Sequence, residues 1–101
     1  MIIFYTTCPS KKVALTIGET LLDERLVACY NLWPISSGYR WKSKKVRESE
    51  FALILKTTLK NSDRVQRRLS TLHPYDAPCI VVVDVKQRNP AYAAWLKQEC
   101  L

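Results

Sequence analysis

One histidine and four cysteines are the side chains in this sequence best suited to bind a soft or borderline metal ion. His73 could be a metal ligand, but the interpretation we favour is that it ends a helix, because proline follows it and disfavours helix at the preceding residue. Its ring would then bond a backbone carbonyl. Cys29 could also bind metal, although a small apolar side chain in a buried strand is favoured. No pair has C-x-x-C or H-x₃-H spacing, so no closed zinc site is expected within one subunit.

Two carboxylates, Glu48 and Glu50, alternate along a predicted strand and therefore share a face. Paired carboxylates can support acid–base chemistry, but this pair lies beside a basic turn, where ion pairing is the commoner role. The sequence has no nucleophile elbow, P-loop, dinucleotide fingerprint or H-E-x-x-H motif. We therefore predict a protein that is not an enzyme and that needs no cofactor to fold.

Basic residues are crowded into two stretches, at positions 40–47 and 64–68, and the formal net charge is +7. Such charge could attract nucleic acid or an anionic ligand. The favoured interpretation is a solvated surface, because charge alone does not identify a partner.

These residues must be positioned by a single α+β domain, which we expect to span residues 1–101. Hydrophobic periodicity predicts the order β-α-β-β-α-β followed by a short C-terminal helix. The four predicted strands cover residues 2–7, 26–33 (continued at 37–41), 50–57 and 79–85. The predicted helices begin near residues 9, 61 and 89. No apolar run is long enough to cross a bilayer, so we expect no membrane association. Gly18 interrupts the first helix and is expected where another backbone packs closely.

This order predicts a ferredoxin-like fold, with a four-stranded antiparallel sheet and both main helices on one face. Pro34 should mark a bend, a bulge or a sheet edge. The fourth strand is apolar almost throughout and should be central or covered on both faces. Because strands one, three and four are apolar on both sides, the second sheet face must also be buried. We expect oligomerisation to bury it, with the long hairpin between strands two and three as the contacting arm.

Antiparallel pairing of strands one and four would place the end of the first strand beside the start of the fourth. Cys8 and Cys79 occupy those ends. Their thiols could bind Cu(I) jointly or form a redox-dependent bridge, since thiolates favour Cu(I). The alternative is two independent cysteines that pack in the fold.

Six short motifs are spread along the chain: residues 23–31 (Asp-Glu-Arg-Leu-Val-Ala-Cys-Tyr-Asn), 39–42 (Tyr-Arg-Trp-Lys), 48–50 (Glu-Ser-Glu), 55–57 (Leu-Lys-Thr), 73–76 (His-Pro-Tyr-Asp) and 89–92 (Asn-Pro-Ala-Tyr) with Trp95. In their order and spacing the sequence resembles the CutA divalent-cation tolerance family over essentially its whole length. The resemblance implies a homotrimer similar to the PII signalling proteins, and a link to tolerance of copper and other divalent metals.

The resemblance further implies that certain residues line clefts between subunits, where a metal ion or small ligand could bind: Tyr39, Trp41, Glu50, Lys56 and Tyr75. Their alternative role is trimer packing, which we favour for Trp41 and leave open for Lys56. Family members usually carry glycine where Ser43 stands, and acidic residues where Lys45, Val46 and Arg47 stand. A carboxylate cation site at this hairpin tip is therefore not expected.

The leading prediction is a non-enzymatic, cytoplasmic homotrimer that binds metal or a small ligand. The runner-up is single-stranded nucleic-acid binding through the basic aromatic hairpin. Strand three lacks the aromatic pattern by which related sheets stack RNA bases, so only weak, salt-sensitive binding is expected.

Overall fold

The computed structural model describes residues 1–101 and contains four strands, three α-helices and one 3₁₀ turn. The elements are β1 (Ile2–Cys8), α1 (Lys11–Asp23), β2 (Cys29–Trp41), β3 (Lys44–Thr57), a 3₁₀ turn (Leu59–Asn61), α2 (Ser62–Leu72), β4 (Val81–Asp84) and α3 (Pro90–Glu99). The strands form one antiparallel sheet in the order β2-β3-β1-β4. This confirms the predicted ferredoxin-like α+β fold.

Helices α1 and α2 cover one face of this sheet because each has one apolar side. At the start of α1 the Ser10 hydroxyl accepts a hydrogen bond from the Val13 N–H at 3.2 Å, which satisfies a free donor of the first turn. The core between the helices and the sheet contains fully buried side chains from all of these elements: Phe4, Ile17, Leu21, Leu53, Leu55, Val65 and Leu69. Burial of these apolar side chains is the main source of stability.

The two glycines of the chain lie in very different surroundings. A Cβ atom on Gly18 would lie 2.7 Å from Cγ of Tyr30, closer than real Cβ atoms approach other atoms. The predicted close approach at Gly18 is therefore confirmed, but the neighbour is an aromatic ring on β2 and not another backbone. A Cβ atom on Gly38 would meet only the Val46 carbonyl oxygen, at 4.0 Å.

The β2–β3 hairpin is longer and more regular than the sequence predicts. The ladder between β2 and β3 is continuous across Pro34, which pairs with Phe51. Proline is tolerated here because β2 is an edge strand, the third of the predicted alternatives. Strand β3 begins at Lys44 and not at residue 50, because the turn is only Lys42-Ser43, with φ of 50° and 65°. Two-residue turns of this kind match the twist of a hairpin.

Part of this hairpin extends beyond the rest of the sheet. Pairing between β1 and β3 ends at Cys8 and Phe51, whereas β2 and β3 continue to pair as far as Trp41 and Lys44. We call residues 35–50 the arm and the rest of the molecule the body. The arm is a two-stranded ribbon, and the molecule is accordingly elongated, with extents of 46, 25 and 21 Å.

Strand β4 lies at the opposite edge of the sheet, and all four of its residues are exposed. The prediction of a central strand, or one covered on both faces, is therefore wrong for the single chain. The apolar run Val81-Val82-Val83 is incompletely covered by its own chain, since β1 is its only neighbouring strand and each valine is 43–44% exposed.

Side chains of the second sheet face, which we call the open face, alternate with those of the core. The strand pairings place Ala52, which is fully buried, on this face together with larger apolar side chains that are only partly buried or exposed: Ile3, Tyr5, Trp33, Ile35, Ile54, Val81 and Val83. Helix α3 lies at one margin, where Leu96 and Cys100 pack against Ala28. The expectation of an apolar second face is thus met, and no helix of the chain spreads across it.

Candidate functional site

Two tyrosines and two glutamates form a polar cluster where the arm joins the body. Glu50 lies on the open face and is 5% exposed, and its Oε2 accepts a hydrogen bond from the Tyr75 hydroxyl at 2.7 Å. Glu48 lies two residues further along β3 on the same face, and its Oε1 accepts a hydrogen bond from the Tyr39 hydroxyl of β2. Both carboxylates therefore have a phenol as their partner. The predicted ion pairing with the basic turn is wrong, since Arg68–Glu24 is the chain's one salt bridge.

The phenols of this cluster keep their protons at neutral pH. The hydrogen bond to Glu48 is the main reason that the pKa of Tyr39 rises to about 12. Burial, followed by the hydrogen bond to Glu50, raises the pKa of Tyr75. Each phenol therefore acts as a hydrogen-bond donor to its carboxylate partner. The cluster can bind a cation or a polar ligand through its remaining oxygen lone pairs, but it holds no nucleophile beside a base.

His73 fixes Tyr75 in place and does not point into the cluster as a free ligand. Its Nε2–H donates to the Thr7 carbonyl at 2.8 Å, and its Nδ1 accepts from the Tyr75 N–H at 3.2 Å. Burial lowers the pKa of the ring, which favours this neutral form. His73 also ends α2, with its N–H bonded to the Leu69 carbonyl. The favoured interpretation, a helix-ending residue bonded to a carbonyl, is confirmed, and metal binding would require one of these bonds to break.

The environments of Cys8 and Cys79 differ. Cys8 is fully buried among core residues, and burial, with a smaller contribution from Glu50, raises the pKa of its thiol to about 11. Cys79 is exposed and precedes β4. Continuing the β1–β4 register by two residues beyond Tyr5 and Val81 would place Cys79 opposite Thr7, on the sheet face away from Cys8. Joint Cu(I) binding by these two thiols stays a prediction, which the burial of Cys8 does not favour.

A second polar cluster lies at the other end of the open face. Cys29 and Lys56 are paired across β2 and β3. The Tyr92 hydroxyl of α3 lies 3.8 Å from the Cys29 Sγ and 3.5 Å from the Lys56 Nζ, which is also 5.7 Å from the ring centroid of Tyr92. Asn89 positions this helix by accepting a hydrogen bond from the Ala91 N–H at 3.0 Å. Sequence reasoning named Tyr92 only as part of the Asn-Pro-Ala-Tyr motif and gave it no role in a site.

The structure thus brings together Tyr39, Glu50 and Tyr75 but leaves the other two predicted cleft residues apart from them. Lys56 lies six residues from Glu50 along β3, about 20 Å away. Trp41 lies at the arm tip, 47% exposed, with the Lys42 Nζ 6.0 Å from its ring centroid. The chain has no group of three or more histidine, cysteine or acidic side chains that could hold a metal ion. The residues of one chain therefore do not fit a complete metal centre.

The fold is that of CutA and PII-like ferredoxin-fold proteins. The structure of the PII-like protein CutA from Nostoc sp. PCC 7120 superposes with a TM-score of 0.93 at 33% identity, covering 100% of this chain and 98% of that one. The crystal structure of CutA1 from Pyrococcus horikoshii superposes with a TM-score of 0.96 at 40% identity, covering 100% and 99%.

The sequence profile described as CutA1 divalent ion tolerance protein matches residues 2–99. The divalent-cation tolerance protein CutA of Thermotoga maritima is 41% identical over 101 residues, which is the whole length of both chains. The chain belongs to the CutA divalent-cation tolerance family. The family is known by a role in tolerance and not by a catalysed reaction.

One protein of this family is described with its cellular compartment. The structure of CutA from Archaeoglobus fulgidus, at 31% identity with a TM-score of 0.93 and 98% coverage of both chains, is described as periplasmic. In the present chain no helix has both the length and the apolar character needed to span a bilayer.

Proposed function

We propose that this protein is a non-enzymatic homotrimer that responds to divalent metal, copper in particular, and binds a metal ion or small ligand in clefts between its subunits. One observation carries the proposal. The two polar clusters, Tyr39–Glu48–Glu50–Tyr75 and Cys29–Lys56–Tyr92, lie at opposite ends of the open face of the same sheet.

Apolar area supports assembly through this face. Val81, Val83 and Trp33 are each more than two-fifths exposed in the single chain, and they share the open face with half-buried Ile3 and Ile54. Contiguous apolar area of this kind is typical of subunit interfaces. Copies that cover one another's open faces would gain the hydrophobic stabilisation that the lone chain lacks.

Assembly would also complete the site. Glu50 and Lys56 are about 20 Å apart along one strand, so one chain cannot bring them to the same ligand. The arm of one subunit, which carries Tyr39 and Glu48, can reach the Lys56 end of a neighbouring open face. Ligand oxygens and nitrogens would then meet carboxylates from one chain and an ammonium from the next. In the same way, a chain that lacks a complete metal centre could contribute ligands to a metal site shared between two subunits.

A pair of variants on β4 tests the trimer and the cleft together. Val83 lies on the open face and Val82 on the opposite face, with nearly equal exposures of 44% and 43%. We expect the unmodified protein to have three times the 11.7 kDa mass of one chain by light scattering and to bind Cu²⁺ by calorimetry. Val83→Lys should dissociate the trimer and abolish copper binding, whereas Val82→Lys should retain both properties.

Other outcomes would show which part of the proposal is wrong. A monomeric unmodified protein would overturn the assembly. Full copper binding by the dissociated Val83→Lys chain would place the site within one subunit. Glu50→Gln tests the cleft itself: we expect a trimer that binds Cu²⁺ at least about tenfold more weakly, which corresponds to about 1.4 kcal/mol. Glu99→Gln, on an exposed residue of α3, is the matched control and should bind as the unmodified protein does.

We also propose a cytoplasmic location. All four cysteines carry free thiols, and the spacing of the cysteines is unlike a disulfide framework. Fractionation of cells that produce the protein, followed by immunoblotting, tests this, and recovery in an oxidising compartment would contradict it.

A further inference from the structure

A groove lies at the end of the body that is farthest from the arm. It is bounded by the 3₁₀ turn on one side and by helix α3 on the other, next to the residues where β1 begins and β3 ends. Its volume is about 490 Å³, which lies within the range of about 300–1,000 Å³ that is usual for small-molecule sites. None of the residues in the two polar clusters of the open face lines it.

Most of the residues that line the groove are apolar. Leu59 lines it from the 3₁₀ turn and, at 73% exposed, is the most exposed large apolar residue of the chain. The other apolar lining residues come from one side of α3 and from the first and last residues of the chain: Ala93, Leu96, Cys100, Met1 and Leu101. A ligand with an apolar part would displace water from this surface and gain hydrophobic stabilisation.

The charged side chains of the groove are all basic. Lys60 lines it from the 3₁₀ turn and Lys97 lines it from α3, so one ammonium group comes from each side. No acidic side chain lines the groove, and neither lysine forms a salt bridge. One anionic group held between the two lysines would provide a counter-charge for both. The groove therefore combines an apolar surface with a site for a single negative charge.

The α3 side of the groove is held in place by the chain itself. The Arg25 side chain donates to the Gln98 carbonyl at 3.0 Å and to the Glu99 carbonyl at 3.1 Å. The Arg25 carbonyl accepts a hydrogen bond from the Leu101 N–H at 2.9 Å. These three bonds join the end of α3 to the body without any ligand. A site that is already formed loses less conformational entropy when a ligand binds.

We propose that this groove binds an amphipathic carboxylate, such as a medium-chain fatty acid. The carboxylate lies between Lys60 and Lys97, and the alkyl chain lies along the apolar residues Leu59, Ala93 and Leu96. Burial of the alkyl chain provides affinity, and the two lysines select an anion. A wholly polar anion would leave the apolar lining in water, and a neutral ligand would leave both lysines without a counter-charge. This binding goes beyond the proposed metal or ligand clefts and is independent of them.

A series of chain lengths tests the apolar part of the proposal. Hexanoate, octanoate and decanoate are titrated into the unmodified protein by calorimetry. We expect the affinity to rise about two- to fourfold for each added CH₂ group, since a fully buried CH₂ group contributes at most about fourfold. Equal affinity for hexanoate and decanoate would show that the alkyl chain is not buried and would overturn the proposal.

Two alanines of α3 provide matched variants for the groove. Ala93 and Ala94 are adjacent and both exposed, but only Ala93 lines the groove. Ala93→Phe should occupy the groove and weaken decanoate binding about tenfold or more, because the ligand would then be overpacked. Ala94→Phe should stay within about twofold of the unmodified protein, since it lies outside the groove. Equal loss in the two variants would contradict the assignment.

Leu59→Gln is a second groove variant, at a side chain too exposed to be needed for folding. It should weaken decanoate binding about threefold or more through lost apolar contact. Circular dichroism and light scattering of every variant check that the fold and the assembly are retained. Cu²⁺ binding should be unchanged in these variants, because the groove is separate from the clefts of the open face.

Paired lysine variants of equal charge test the anionic part. Lys60→Gln with Lys97→Gln should weaken decanoate binding about fivefold or more, as expected for the loss of two exposed ion pairs. The control, Lys11→Gln with Lys12→Gln, removes two exposed lysines at the start of α1 and should bind decanoate as the unmodified protein does. Decanol, which has the same chain length and no charge, should bind equally to all three proteins.

Two further results would overturn the proposal. Decanol that binds the unmodified protein as tightly as decanoate would show that the lysines select no anion. Lysine-dependent binding to vesicles that contain phosphatidylglycerol, without binding of decanoate, would assign this surface to a membrane and not to a single carboxylate.

Discussion

The body and the arm are built from the same two strands, yet different interactions stabilise them. Within the body, β3 contributes Leu53 and Leu55, both fully buried under the helices. Within the arm, the same strand contributes Lys45, Arg47 and Glu48, all exposed. The backbone ladder continues unbroken from one region into the other. The difference therefore lies in side-chain burial and not in hydrogen bonding.

This contrast shows how a regular hairpin can carry function. The body encloses a core and is stable through its own contacts, because apolar burial is the main stabilising term. The arm has no apolar core, so its ordered shape depends on the turn, on the ladder and on side-chain hydrogen bonds such as that between Tyr39 and Glu48. In the proposed trimer the open face of the arm meets another subunit.

The largest effect should come from core truncation in the body. We expect Leu53→Ala to lower the free energy of unfolding by about 2–5 kcal/mol, because it leaves a cavity at a fully buried position. Val46→Ala in the arm should cost less than about 1 kcal/mol, since Val46 is only half buried. Urea denaturation at several protein concentrations measures both. If Val46→Ala lowered the free energy of unfolding as much as Leu53→Ala, at protein concentrations where the subunits are dissociated, the proposed difference between arm and body would be contradicted.

An intermediate effect should distinguish the two glycines. In Gly18→Ala the new methyl group would overlap the ring of Tyr30, at a cost of about 1–3 kcal/mol for overpacking. A gain of about 1 kcal/mol in helix propensity offsets part of this cost, so we expect a net loss of about 1–2 kcal/mol. Gly38→Ala should change stability by less than about 0.5 kcal/mol. Thermal unfolding measures both, and equal stability of the two variants would contradict the packing of Tyr30 on α1.

The smallest effect concerns the junction between the two regions. Burial lowers the pKa of His73 below its usual 6.5 in the folded protein, so the unfolded chain takes up a proton first as the pH falls. The unfolded chain then binds more protons, and the free energy of unfolding should decrease below about pH 6.5 and be independent of this group above it. Protonation would place a donor against the Tyr75 N–H and loosen the Tyr75–Glu50 bond, although Glu50 favours the charged ring.

His73→Gln provides the control for this measurement, because His73 is the only histidine in the chain. We expect the variant to show no decrease in stability between pH 7 and about 5, a window above the usual carboxylate pKa values. Denaturation curves at each pH measure the difference. Identical profiles for the two proteins would show that His73 does not titrate differently on folding.

Much of the candidate site could be predicted from local pattern and resemblance, but its partners could not. Glu48 and Glu50 were placed on one face by strand alternation, and Tyr39 and Tyr75 were marked by motifs. That each carboxylate binds a tyrosine depends on the β2–β3 register and on the loop after α2, which local sequence does not determine. Likewise, nothing in the sequence around Cys29 shows that Tyr92, more than sixty residues away, reaches its thiol.

The sequence by itself determined the order of the elements, the ends of the helices and the charge of the arm. These properties depend on periodicity and on residues close in the chain, such as Ser10 and Asn89 at helix starts. Tertiary structure alone decided that apolar β4 lies at an edge, that Cys8 is buried while Cys79 is exposed, and that both nitrogens of His73 are bonded. Each of these outcomes depends on contacts between segments that are distant in the chain. The register of these segments, and the sheet face on which each side chain lies, are set only when the whole sheet has formed.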